Sequence, residues 1–250
     1  MVHNAGPKAR KGRDVKQGNT ILVAHGAWSA GWSWKRMHPL LQAAGQRLIV
    51  PTYTGLGERE HLAARGTSLE THIQDLLGVI KFEELSDIVL VAHSYGGMVA
   101  TGIVDRVPEK IRRLIYVDAF VPQHGQSMLD LVPDSHRAML HKGLTEGDGW
   151  RIPPMPVPPD TTAEDRQWIE RLRMPQPLHC FDMPLQLQRG DTQVPRTYIY
   201  ALRAPPADPL RPFAERAQRE NWGYHDIDAS HSPHVTAPQA LAALLTDIAA

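Results

Sequence analysis

In Ile88-Val-Leu-Val-Ala92-His93-Ser94-Tyr95-Gly96-Gly97 an apolar run leads into a serine, then into a helical pattern that opens on two glycines. A strand that turns abruptly into a helix holds the intervening serine in a strained turn. Its hydroxyl is then lifted above the sheet edge, where it can attack a carbonyl carbon. Small residues are needed two places before and two places after, because bulkier side chains would collide there. Ala92 and Gly96 meet that need, with Ala92 standing where a glycine is usual. A hydroxyl needs a base to become a nucleophile, and in arrangements of this kind the base comes late in the chain. Asp228-Ala-Ser-His231-Ser-Pro-His234 offers two histidines. His231 is preferred because it is nearer the end of the last apolar run, and His234 is expected to be a loop histidine. For the acid that orients the base there are two candidates. Asp118, in Tyr116-Val-Asp-Ala-Phe120, has apolar neighbours and would be costly to bury without a partner. Asp208, between prolines in Ala204-Pro-Pro-Ala-Asp208-Pro209, reads as a surface-turn residue.

Acyl transfer also needs donors for the oxyanion, and a second motif supplies a place for one. The run Thr20–Ala24 ends in His25-Gly26-Ala27-Trp28. The loop after the first central strand and the residue after the nucleophile each contribute a backbone N–H, so Ala27 and Tyr95 are the expected pair. Their side chains are expected to matter little. Gly26 is expected to let the backbone turn beneath a substrate. Of Trp28, Trp32 and Trp34, two are assigned to packing and one to the pocket floor, with Gly26 and Trp28 as the pocket candidates on this loop.

These residues must be positioned by an ordered framework. Apolar runs that suit buried parallel strands recur at Thr20–Ala24, Arg47–Val50, Ile88–Ala92, Arg113–Val117, Arg196–Ala201 and Gly223–Ile227. Helical patterns between them argue for an α/β fold with a mainly parallel sheet flanked by helices. Thr67 with Glu70, Thr161 with Glu164 and Thr236 with Gln239 have the spacing of capping boxes, and a further helix is expected from about Tyr95 to Val107. Of the 21 prolines, 15 fall between Val121 and Pro212, and the Pro153–Pro159 run is expected not to form a strand. Residues 20–120 and 196–250 are therefore read as the core. Residues 121–195 form a partly helical insertion capping the sheet's carboxyl edge, with Trp150, Met155, Trp168, Met174, Phe181 and Met183 available to line a hydrophobic pocket.

The 27 Lys and Arg balance 27 Asp and Glu, which argues against nucleic-acid and anionic-membrane partners. One cysteine, Cys180, cannot form an internal disulfide and has no metal-ligand spacing beside it. No apolar run approaches the ~20 residues a membrane helix needs, and the basic residues 1–19 read as a disordered leader. A soluble, cytoplasmic protein is expected, with a homodimer left open.

Together, His25-Gly-Ala-Trp28, Pro51-Thr-Tyr-Thr-Gly-Leu-Gly-Glu-Arg59, Val91-Ala-His-Ser-Tyr-Gly-Gly97, Tyr116-Val-Asp-Ala-Phe-Val-Pro122 and the His231 loop resemble the α/β-hydrolase superfamily. Within it they are most similar to a bacterial esterase branch related to plant methylesterases and hydroxynitrile lyases, over roughly residues 20–250. The resemblance implies an α/β-hydrolase fold and a serine carboxylesterase that uses Ser94, His231 and an acid, takes a small-molecule ester and needs no metal or cofactor. The plant relatives place the acid directly after the strand matching Arg196–Ala201, where this chain has Leu202-Arg-Ala-Pro. The bacterial branch uses the position of Asp118, which ranks it above Asp208. The hydroxynitrile lyases carry a threonine where Gly26 stands and a lysine beside the acid, and neither is found here. That favours ester hydrolysis over a cyanohydrin lyase on the same triad, while retention of every catalytic residue type argues against a non-catalytic small-ligand receptor built on this fold.

Overall fold

The computed structural model describes residues 18–205 and 207–250. Apart from Gly18 and Asn19, the basic leader lies outside the described residues. Six parallel strands form the main sheet: β1 (Thr20–Ala24), β2 (Arg47–Ile49), β3 (Ile88–Ser94), β4 (Ile111–Ala119), β7 (Arg196–Ala201) and β8 (Gly223–Ile227), in the order β2-β1-β3-β4-β7-β8. A two-stranded antiparallel ribbon, β5 (Arg151–Ile152) with β6 (Gln176–Pro177), lies between β4 and β7 in the chain. The helices are α1 (Met37–Ala43), α2 (Leu69–Phe82), α3 (Gly96–Arg106), α4 (Asp134–Glu146), α5 (Ala163–Leu172), α6 (His179–Asp182), α7 (Arg211–Arg219), α8 (Pro233–Thr236) and α9 (Pro238–Ala249). Among the described residues no helix is long and apolar enough to cross a membrane.

The strands read as unbroken apolar runs because helices cover both faces of the sheet. Leu22, Leu90, Leu114, Tyr116 and Tyr198 pack on one side with residues of α2, α3 and α7. Their strand neighbours Ile21, Val23, Val89, Val91, Ile115 and Ile199 pack on the other with Met37 and Leu41 of α1 and Leu241 and Leu245 of α9. Side chains of a strand alternate in direction, so this two-layer core fixes the register of β3. Fixing that register fixes where Ser94 emerges.

Helix starts differ locally from expectation. The Thr67 hydroxyl is taken up by the Ala64 amide of the preceding turn, and Ser68 with Thr71 forms the capping box of α2. Thr162, not Thr161, caps α5 by accepting from the Asp165 amide. The Thr236 hydroxyl turns back to the Ser232 carbonyl within α8, which leaves Ala237 to start α9 without a side-chain cap. The Pro153–Pro159 run forms no strand, yet β6 includes Pro177, tolerable in a two-residue edge ribbon.

Residues 121–195 are tied down at several places, among them the following. The Asp105 carboxylate of α3 accepts from the Gln188 and Arg189 amides. Arg36 forks onto Asp165 of α5 and also donates to the Val235 carbonyl. Trp28 makes a third tie, beside the site described next.

Candidate active site

Ser94 closes β3 with φ of 54°, in the left-handed region that L-residues avoid. The turn is affordable because Gly96 and Gly97 let α3 start hard against the neighbouring strands. A Cβ on Gly96 would stand 1.9 Å from the Ala24 carbonyl oxygen, and one on Gly97 the same distance from that of Phe120. The serine is therefore held between the ends of β1 and β4.

Across β4 the register slips by one residue. His93 pairs with Val117 but Ser94 pairs with Ala119, so Asp118 bulges out with φ of 43°. Such a bulge re-aims the side chain it carries. The peptide groups of the following residue are satisfied by a phenol: Tyr198 donates to the Ala119 carbonyl (2.9 Å) and accepts from the Ala119 amide (3.1 Å). The freed Asp118 carboxylate is 2% exposed; Oδ2 lies 2.6 Å from His231 Nδ1, and Oδ1 accepts from the Ala201 amide at 3.3 Å. On the other edge of the imidazole, His231 Nε2 lies 2.9 Å from Ser94 Oγ. Nδ1–H donates to Asp118, so Nε2 is left with the lone pair that a base needs. Ser94 is 9% exposed while the His231 side chain is 39% exposed, so the imidazole edge is the wet side of the site.

The other candidates are placed elsewhere. Asp208 accepts from Tyr200 Oη (2.9 Å) and from the Leu210 amide (3.0 Å), as a turn residue does. His234 lies in α8, fully buried and stacked on Trp34 with ring centroids 4.7 Å apart; burial lowers its pKa to about 3.

Among the described residues the Ala27 and Tyr95 amides have no acceptor; Ala27 lies in the loop after β1, and Tyr95 follows Ser94 at the head of α3. Tyr95 is anchored by more than its backbone. Its phenol donates to His72 Nδ1 (3.0 Å), and His72 Nε2–H donates to the Thr54 carbonyl (3.1 Å), within a buried layer that includes Tyr53 and His25. Burial pushes the pKa of both His25 and His72 down to about 3. Gly26 is required for clearance, since a Cβ there would meet His93 Nδ1 at 2.8 Å and Ser94 Cβ at 3.3 Å.

Trp28, at φ of 57°, fastens the β1 loop to the segment above it. Its amide donates to Gln176 Oε1 (2.8 Å), its indole to the Ile152 carbonyl (2.9 Å), and its ring stacks on Phe181. Trp34 is core. Trp32 packs edge-on against Trp168, which also carries Lys35 Nζ 4.1 Å over its ring. Trp150 lies under the guanidinium groups of Arg65 and Arg151. For Trp150 and Trp168, therefore, the structure describes packing. The thiol of Cys180 is buried and its pKa is pushed up to about 12. Among the described residues no three His, Cys, Asp or Glu side chains converge as a metal-ligand set. A cavity of about 640 Å³ opens between β2 and α2, lined by Val50, Asp75 and Phe82 among others, and none of its walls comes from Ser94, Asp118 or His231.

An elbow serine at the carboxyl edge of a parallel sheet, a histidine after the last strand and two free amides form one arrangement, and the sequence matches it. Residues 21–244 match the Alpha/beta hydrolase family. The chain belongs to that family. It is 40% identical to a carbendazim hydrolyzing esterase of Nocardioides sp., over 90% of this chain and 96% of that protein. It is 27% identical to the pFDCC methylesterase of Arabidopsis thaliana, over 90% of this chain and 92% of the other. In three dimensions it matches an extracellular alpha/beta-hydrolase from a Paenibacillus species with a TM-score of 0.80 at 23% identity, covering 92% of this chain and 98% of that one. With esterase relatives along nearly its whole length, the chain is an α/β-hydrolase of the esterase type.

Proposed function

We propose that the chain is a serine carboxylesterase that hydrolyses a hydrophobic ester through an acyl-serine intermediate. The observation that carries this reading is the unbroken line Ser94 Oγ, His231 Nε2, His231 Nδ1, Asp118 Oδ2, with spacings of 2.9 and 2.6 Å at its two hydrogen bonds. Ser94 Oγ attacks the ester carbonyl carbon while His231 Nε2 takes its proton. The tetrahedral oxyanion is held by the Ala27 and Tyr95 amides, and the Asp118 carboxylate stabilises the imidazolium that has formed. His231 gives its proton to the leaving alcohol. Water, deprotonated by the same nitrogen, then attacks the acyl carbon and releases the acid and Ser94.

Gly26 argues against the lyase reading. A side chain there would displace His93 or Ser94, which excludes the threonine of the hydroxynitrile lyases without repacking. Trp28 in the loop after β1, 8% exposed, and the partly buried Met174, whose amide reaches the Trp28 carbonyl, favour an apolar acyl or alkoxy group of moderate size. Carbendazim belongs among the trial substrates because of the relative that hydrolyses it.

The test is a panel of p-nitrophenyl esters of rising chain length, run with carbendazim and a cyanohydrin. Ester turnover is expected, with Ser94→Ala lowering kcat by at least about a thousandfold and a fluorophosphonate labelling Ser94 stoichiometrically. Cyanohydrin cleavage without ester turnover, or an undiminished Ser94→Ala variant, would overturn the reading.

A further inference from the structure

The two nitrogens of His231 are both engaged, yet its loop must also be held at the right distance from β3. A contact from within the strand does this. The side chain of His93, the residue before the nucleophile, is buried, and its Nε2 lies 2.7 Å from the His231 carbonyl oxygen, a bond spanning 138 residues of sequence. A carbonyl only accepts, so Nε2 carries the proton and His93 Nδ1 carries the lone pair. That second nitrogen lies against Gly26, where even one added methyl would come within 2.8 Å of it. One imidazole is therefore wedged between the turn that carries the Ala27 amide and the loop that carries His231. Trp34 packs edge-on against it at 6.4 Å between centroids, and the His234 ring closes the remaining side at 4.7 Å.

The titratable groups that face His93 are His231, His234 and His25. None of them is an acid, and the one contact that favours the charged form, the hydrogen bond to the His231 carbonyl, is outweighed by burial. Burial, with those histidines, holds its pKa well below the ordinary value, and the ring stays neutral in the one tautomer that can donate to His231.

We infer that His93 is a positioning residue for the reaction proposed above: its Nε2–H fixes the His231 loop over Ser94, and its packing beneath Gly26 keeps the Ala27 amide aligned with that of Tyr95. The inference rests on the acyl-serine reading. Its physical content is distance, because a shift on the order of 1 Å between nucleophile and base can slow chemistry by about a hundredfold while leaving substrate contacts in place.

The test compares two substitutions of similar polarity and different reach. In His93→Gln the side-chain amide still reaches the His231 carbonyl, and in His93→Asn it stops one methylene short. With p-nitrophenyl butyrate, His93→Asn is expected to lower kcat by roughly 10- to 100-fold with KM within about threefold, and His93→Gln to recover most of that loss. The rate of Ser94 labelling by a fluorophosphonate should fall in the same ratio, and melting temperatures of the two variants should agree within a few degrees. Equal kcat for the two variants at equal melting temperature would overturn the inference, as would a loss confined to KM. If His93→Asn does not fold, His93→Phe, which keeps the ring but lacks the donor, is read against His93→Gln by the same criteria. Ser94→Ala assayed alongside separates the two readings. An active Ser94→Ala breaks the acyl-serine mechanism itself, whereas an inactive Ser94→Ala beside a full-speed His93→Asn breaks only the positioning role.

Discussion

The carboxyl edge of the sheet and the segment above it, residues 121–195, are built on different principles. At the edge, each site group is placed by strand ends and held by buried hydrogen bonds from neighbouring strands: Asp118 by the Ala201 amide, its bulge by Tyr198, the His231 loop by His93. Of the six non-glycine residues with positive φ among the described residues, three are here, namely Trp28, Ser94 and Asp118. Such strain, about 1–3 kcal/mol per residue, persists only where the surroundings over-determine the backbone. The segment above is instead short helices and a two-residue ribbon, fastened at separate points such as Trp28, Arg36–Asp165 and Asp105.

Substitutions can break or sharpen this contrast. The largest effect after Ser94 itself is expected at the edge. Asp118→Asn should lower kcat by about 10² to 10⁴ with little change in KM, because the base loses its orienting acceptor and the counter-charge of its protonated form. A variant that is folded and still fast would relocate the acid.

Next comes acid sensitivity, which should also belong to the edge. His25, His72 and His234 have pKa values lowered by burial from 6.5 to about 3. Between those limits the unfolded chain binds more protons than the folded one. Their contribution to stability is therefore fully present above about pH 6.5 and falls away as the pH drops towards 3, by up to about 1.4 kcal/mol per pH unit for each group. Urea midpoints should fall markedly from pH 7.5 to pH 5, and an unchanged midpoint would mean that these rings accept protons inside the folded protein.

A smaller and different signature is expected from the cover. Trp28→Phe keeps the stack on Phe181 but orphans the Ile152 carbonyl. It should cost about 1 kcal/mol of stability and raise KM several-fold with kcat less affected. A kcat loss rivalling that of Asp118→Asn would erase the distinction between the two regions. Asp208→Asn should be the mildest of the set, within a few-fold of the parent in kcat/KM, since among the described residues its carboxylate is hydrogen-bonded to Tyr200 and Leu210 and not to the triad histidine.

The same contrast governs what could be read from residues alone. Strands buried on both faces announce themselves as apolar runs, and the elbow announces itself through Ala92, Ser94 and Gly96. In the main sheet, expected and observed strands therefore coincide at Thr20–Ala24, Arg196–Ala201 and Gly223–Ile227 and differ only at their ends elsewhere, whereas the two-residue ribbon of β5 and β6 is too short to leave such a run and was not expected. Helix α4, whose one buried residue is Leu140, has no comparable signal, and neither α1 nor α7 was expected. The capping boxes missed by one residue because a hydroxyl can serve the turn before a helix as readily as the helix itself, as Thr67 does. The roles of His93, Tyr198 and Gln176 were invisible for another reason. Each depends on a partner 138, 79 or 148 residues away, a separation that local pattern does not encode.

The bond between the Ala201 amide and Asp118 has a consequence for how the position of the acid is defined. The carboxylate belongs to β4 by sequence but rests over the last residue of β7, the strand after which the plant-type arrangement carries its acid. A carboxylate carried just after β7 would leave the sheet from the residue that Asp118 already touches, so the two positions are neighbours at one edge although they are far apart in sequence. For this chain, location above the sheet and position in the sequence are therefore separate descriptions of its acid, and Asp118 is placed by the first.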